Sequence, residues 1–119
     1  MEIKTVSITE VAGVILQEQT HIVDLPPLCP RTHNPLAGST LVVTYTPVEN
    51  QVLEVYNLTD YVYSFVGSET VRDIEHFAQV VAADCGQALK TDVRATVEFI
   101  LNIGQRVRTV AVWQEPAKL

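Results

Sequence analysis

Leu41-Val42-Val43-Thr44-Tyr45-Thr46, followed across Pro47 and Glu49-Asn50 by Val52-Leu53-Glu54-Val55-Tyr56, is the stretch that decides the fold class. Both runs are rich in β-branched and aromatic side chains, which fit a pleated surface, and breaker residues separate them, so together they predict a β-hairpin. In the second run Val52, Glu54 and Tyr56 fall on one side of the strand and Leu53 and Val55 on the other. Apolar residues then occupy both faces, which hints at a sheet that packs against another subunit.

Upstream, Cys29-Pro30-Arg31-Thr32-His33-Asn34-Pro35-Leu36-Ala37-Gly38 reads as a loop, because its prolines and glycine forbid regular structure. Residues 1–28 form a leader with one or two short strands, ending in the breaker Leu25-Pro26-Pro27-Leu28. Downstream, Asn57-Leu58-Thr59-Asp60 caps a short helical turn that runs through Phe65, and Gly67-Ser68 closes it. From Thr70 the apolar positions Val71, Ile74, Phe77, Ala78, Val81, Cys85, Ala88 and Leu89 recur at intervals of three and four, the period of an amphipathic helix. Thr70 with Asp73 three residues on resembles a capping box. Two strands over 93–101 and 107–113 finish the chain, joined by the turn Asn102-Ile103-Gly104-Gln105. The expectation is one α+β domain over 1–119: an antiparallel four-stranded sheet made of two hairpins, with two helices on one face.

Composition narrows the function. The chain has 119 residues, 47% of them apolar and 18% charged, which suits one folded domain without metals or disulfides and argues against disorder. Fourteen acidic against 8 basic side chains give a net charge of −6, which works against phosphate-backbone binding and makes tRNA an unfavoured partner. No uncharged run approaches the roughly 20 apolar residues of a membrane span. The start Met1-Glu2-Ile3-Lys4 lacks a signal-peptide pattern, so the sequence predicts a cytoplasmic protein with no membrane partner. In such a compartment Cys29 and Cys85 read as free thiols.

Among the residues that could carry chemistry, Cys85 falls on the apolar stripe of the long helix and reads as a core thiol. Cys29 lies in a polar loop with Arg31 and His33 nearby, and a thiolate beside cations is the nucleophilic form. Sequence context leaves Cys29 open between a nucleophile and an ordinary thiol. No spacing supplies the further ligands that a metal on Cys29 and His33 would need. His21 and His76 are isolated and read as surface or satisfied histidines, and Asn57-Leu58-Thr59 matches a glycosylation sequon by chance. Asp73 and Glu75 sit in the first turn of the long helix. There they complement the helix dipole, or read the N–H and NH₂ edge of a guanine-like or pterin-like ring.

Taken together, C-P-R-T-H-N-P in a loop, then E-V-Y-N-L-T-D-Y-V-Y-S-F, then a helix with early carboxylates, resembles the 7-cyano-7-deazaguanine reductase (QueF) family over about residues 25–113. The resemblance implies a tunnel fold that oligomerises into a barrel, with a deazapurine bound between subunits. It matches Cys29 to the cysteine that attacks the substrate nitrile to give a thioimide, and Glu54, Tyr61, Ser64 and Phe65 to the strand-end motif. Glu75 matches the purine-binding glutamate if two residues are inserted before it; Asp73 is the ungapped match. The family's general-acid aspartate falls on Leu36, which leaves His33 as the nearby proton donor. The family's two motif lysines, which meet NADPH, fall on Tyr56 and Thr59. The implied activity is nitrile processing, by reduction or by ammonia transfer as in the related archaeosine synthases. The alternatives are a tunnel-fold module that binds a purine or pterin ring or assembles with a partner without chemistry, and an unrelated α+β protein.

Overall fold

The computed structural model describes residues 1–71 and 73–117. Six strands and two helices follow in the order β1 (Thr5–Ser7), β2 (Gln19–Asp24), β3 (Thr40–Tyr45), β4 (Gln51–Leu53), α1 (Val55–Tyr63), α2 (Ile74–Leu89), β5 (Val93–Ile100) and β6 (Arg106–Trp113). Four of the strands form an antiparallel sheet in the order β2-β3-β5-β6, and β1 pairs with β4 in a separate two-stranded sheet. The architecture is α+β.

The four-stranded sheet is present, but one of its members differs from the expectation. The run 52–56 does not form a hairpin with β3, because β3 already pairs with β2 along one edge and with β5 along the other. The chain therefore leaves the sheet after Tyr45. It reverses through Glu49 and Asn50, both in the left-handed region with φ of 54° and 56°, and pairs Val52 with Val6 on β1. Only three residues of the run remain extended. Glu54 ends the strand by becoming the N-cap of α1, its carboxylate accepting from the N–H groups of Tyr56 at 3.1 Å and Asn57 at 2.6 Å. Val55 and Tyr56 are thus helical, and the alternation of faces read from that run does not exist. The leader supplies the missing sheet strand as β2. The two leading sheet strands, β2 and β3, are joined not by a tight turn but by the cysteine loop.

Both helix starts move. The first helix begins two residues earlier than expected, at Val55. The second begins at Ile74, with Asp73 rather than Thr70 as its cap, the Asp73 carboxylate accepting from the His76 N–H at 2.7 Å. The residues before it are held by Ser68, whose hydroxyl accepts from the N–H groups of Thr70 and Val71. At the other end, Lys90 takes a left-handed conformation (φ 58°) that turns the chain into β5.

One face of the sheet and both helices share a core. Leu41, Val43, Tyr45, Val93, Ala95, Val97 and Phe99 point inward from the sheet against Phe77, Ala78, Val81, Ala82, Cys85 and Leu89 of α2 and Leu58, Tyr61 and Val62 of α1. Each large apolar side chain so buried contributes roughly 1.5–3 kcal/mol. Gly86 lets α2 approach β6: a Cβ there would stand 2.0 Å from Trp113 Cδ1. Several polar groups inside are paired, whereas Trp113 Nε1 and Glu115 Oε2 are buried without a partner among the described residues. The Tyr61 hydroxyl donates to Asp84 Oδ2 at 2.5 Å, joining α1 to α2. The Tyr45 hydroxyl accepts from the Leu53 N–H and lies 2.8 Å from His21 Nε2, so His21 is a satisfied buried histidine. Asn57 is likewise buried, and its side-chain amide bridges the Lys4 N–H and the Glu2 carbonyl.

The opposite face of the sheet is uncovered among the described residues. Ile22, Val42, Thr96 and Val110 stand in register across it, and Ile22 is 71% exposed. The residues read as giving a second apolar sheet face, Val52 to Tyr56, are not part of this sheet; its exposed apolar positions include Ile22 and Val110.

Candidate active site

The cysteine loop is built before it is functional. Its two ends are drawn together by the Asn34 carbonyl, which accepts from the N–H groups of Leu28 at 2.9 Å and Cys29 at 3.0 Å, while the Cys29 carbonyl accepts from the His33 N–H at 2.9 Å. His33 adopts φ 58° to close this turn. Asn34 and Asn102 then exchange hydrogen bonds: the Asn102 N–H donates to Asn34 Oδ1 at 2.9 Å, and the Asn34 side-chain amide to Asn102 Oδ1 at 3.2 Å. Fully buried Ser39 adds a second tie, accepting from the Ile100 N–H and donating to the Leu36 carbonyl. The loop is thereby braced against the end of β5 and its turn. A mobile nucleophile would lose much of its advantage, so this bracing is what a reactive side chain on a loop requires.

This loop forms one wall of a cleft of about 590 Å³. Leu28, Cys29, Pro30, Arg31, Thr32 and Asn34 line that wall, and Gly67, Ser68 and Val71 from the α1–α2 connection face them. The Gly67 N–H donates to the Leu28 carbonyl at 2.9 Å and closes the walls at one point. Phe65 and Phe77 make the apolar floor, their rings edge-to-face at 5.2 Å, and Phe65 also stands edge-to-face to Tyr61 at 5.0 Å. Asp73 and Ile74 bring the N-terminus of α2 to the rim.

Cys29 is half-buried and free. Its thiol is held below the usual value by a hydrogen bond from the Thr32 hydroxyl first, then by the N–H groups of Thr32 and Arg31; partial desolvation opposes them, and the Arg31 charge adds a smaller favourable share. Cys85 is fully buried, and desolvation, reinforced by the Asp84 charge, pushes its thiol up to about 12. The first is shifted toward the thiolate, the form from which thiols attack, and the second away from it.

The five residues marked in the sequence separate. Cys29 and Asp73 line the same cleft. Glu75 is exposed on a different groove of about 390 Å³, between α2 and β6, with Gln79, Ala82 and Trp113. Glu54 is committed to capping α1 and lines neither cavity. His33 is exposed, and its side chain is not among the cleft's lining residues. Thr32, Ser68 and Phe77 are the cleft residues that sequence reasoning passed over. Thr32 carried a usable signal, a hydroxyl three residues beyond a loop cysteine.

Among the described residues that line the cleft, Arg31 is the one cation. Tyr56 and Thr59 lie on the exposed side of α1, Tyr56 80% exposed, and the Thr59 hydroxyl donates to the Val55 carbonyl. Among the described residues, no group of three or more His, Cys, Asp and Glu could hold a metal ion, and no helix is long and apolar enough to cross a membrane. No protein-family model matches the chain, and no curated protein matches it.

Proposed function

We propose that the chain is a divergent tunnel-fold enzyme of 7-deazaguanine metabolism, and that Cys29 adds to the nitrile of 7-cyano-7-deazaguanine. The observation that carries this reading is the joint presence of Cys29 and Asp73 on one aromatic-floored cleft. The cleft is large enough for a bicyclic base and presents a carboxylate at one rim and a thiol with a lowered pKa on the wall. In the addition the sulfur bonds to the nitrile carbon, one C≡N electron pair moves to nitrogen, and nitrogen takes a proton to give the thioimide. The Asp73 carboxylate, which also caps α2 through the His76 N–H, reads the N–H and NH₂ edge of the ring, and the shared cleft favours Asp73 over Glu75 for this role. Leu36 occupies the position of the family's acid, so the proton comes from solvent. In the onward step we propose, ammonia from solution adds to the thioimide carbon, the C–S bond breaks to return Cys29 as thiolate, and the base is released as an amidine.

The tunnel-fold part of the reading rests on the uncovered sheet face, where Ile22, Val42 and Val110 are available to a second copy of the chain. Light scattering that gave a strict monomer would overturn it. A second reading, a ring-binding module without chemistry, is favoured by Leu36 at the acid's position and by Tyr56 and Thr59 at those of the lysines. Intact-mass spectrometry after incubation with 7-cyano-7-deazaguanine separates the two. The enzyme reading expects a gain of one base mass, lost in Cys29→Ala, whereas ring binding with no adduct means the second.

A further inference from the structure

We infer that the loop between β1 and β2 is an assembly arm, whose apolar tip docks on the uncovered sheet face of a second copy of the chain. The inference rests on the self-association read from that face, and it states what covers it. Val11, Val14 and Ile15 project from the loop, 66%, 69% and 86% exposed. The loop that carries them is built. The Ile8 N–H donates to the Asn50 carbonyl at 2.9 Å, the Asn50 side-chain amide donates to the Glu10 carboxylate, and the Val14 N–H donates to the Val11 carbonyl at 3.1 Å across Gly13, whose φ is 80°. Leu16 turns back against the core. Three large apolar side chains held out in water by such a loop mark a contact surface. Charge selects the partner. Glu10, Glu18 and Glu49 are exposed around the arm, and no Lys or Arg occurs between Lys4 and Arg31. The uncovered face has the opposite rim. Its row of Ile22, Val42, Thr96 and Val110 is flanked by Arg94 of β5 on one side and Arg108 of β6 on the other, with Arg106 beyond. Three of the chain's 8 basic side chains thus stand on this face. Its carboxylates are Asp24, at the β2 edge, and Glu98, paired with Arg108 at 3.3 Å. An apolar tip rimmed by carboxylates complements an apolar row rimmed by guanidinium groups, and the same carboxylates repel an anionic membrane. Arm and face are different surfaces, so the contact runs head-to-tail.

Light scattering on the full chain tests this with two double variants. Val14→Ser/Ile15→Ser removes the tip, and Arg94→Glu/Arg108→Glu reverses the rim. All four positions are exposed, so neither change reaches the core. The wild type is expected as an oligomer and each variant alone as a monomer. Their equimolar mixture is expected as a dimer, because the rim-reversed copy keeps its arm and the tipless copy keeps its face. A variant that retains the wild-type mass, or a mixture that stays monomeric, overturns the inference, while the oligomeric wild type leaves the tunnel-fold reading standing. A monomeric wild type overturns both.

Discussion

Cys29 and Cys85 are the same side chain in two opposite settings. Cys29 stands on a loop that is irregular in outline yet closed by backbone hydrogen bonds, and its thiol pKa is lowered. Cys85 stands on a regular helix, fully buried among apolar side chains and beside Asp84. The loop lowers the cost of forming a thiolate; the helix raises it. What makes a thiol reactive here is neither secondary structure nor exposure alone, but how far its surroundings favour the thiolate against the water it has lost.

The contrast can be broken most directly with iodoacetamide on the native protein. Cys29 is expected to label on the order of a thousandfold or more faster than Cys85, whose modification waits for the core to open. Cys29 labelling should rise with pH and level off below the ordinary thiol range, because only the thiolate reacts and its pKa is lowered. Comparable rates for the two would remove the contrast. Phe77 stands between the two settings, in the core with Cys85 and on the floor of the cleft. Phe77→Ala should cost about 3–5 kcal/mol in denaturant unfolding and speed Cys85 labelling sharply, while Cys29 labels much as before. Asp73→Ala should cost about 1 kcal/mol through the lost cap of α2. It should also abolish deazaguanine binding, as measured by calorimetry, with Glu75→Gln leaving binding intact. The smallest effect is expected of Arg31→Ala. Cys29 labelling at pH 7 slows about twofold, and added salt, which screens the exposed guanidinium, no longer changes it.

Where local pattern decides structure, the sequence is legible. Apolar spacing from Ile74 to Leu89 marks α2, and Gly104 in its turn marks the β5–β6 hairpin. Where partners are chosen at long range, it is not. Val52 to Tyr56 has strand composition, but β3 had both edges filled, and nothing within 41–56 reveals that β2 would reach it across the cysteine loop. Val55, Tyr56, Thr59, Tyr61, Val62 and Tyr63 favour extended chain by propensity, yet form α1, because burying Leu58, Tyr61 and Val62 under the Glu54 cap outweighs that preference. The site divides likewise. Cys29 is visible from its loop, and the carboxylates from their helix start. That Asp73 rather than Glu75 meets Cys29 depends on a two-residue difference at a helix end: the cap residue stays at the rim, while the first-turn residue is carried round to the β6 side.

A crystal of the protein soaked with 7-cyano-7-deazaguanine tests the account most directly. It predicts continuous density from Cys29 Sγ to the former nitrile carbon, with the ring over Phe65 and Phe77 and its amide and amine edge on Asp73. A ring lodged in the groove beside Glu75, or one in the cleft with its nitrile intact and apart from the sulfur, would contradict it.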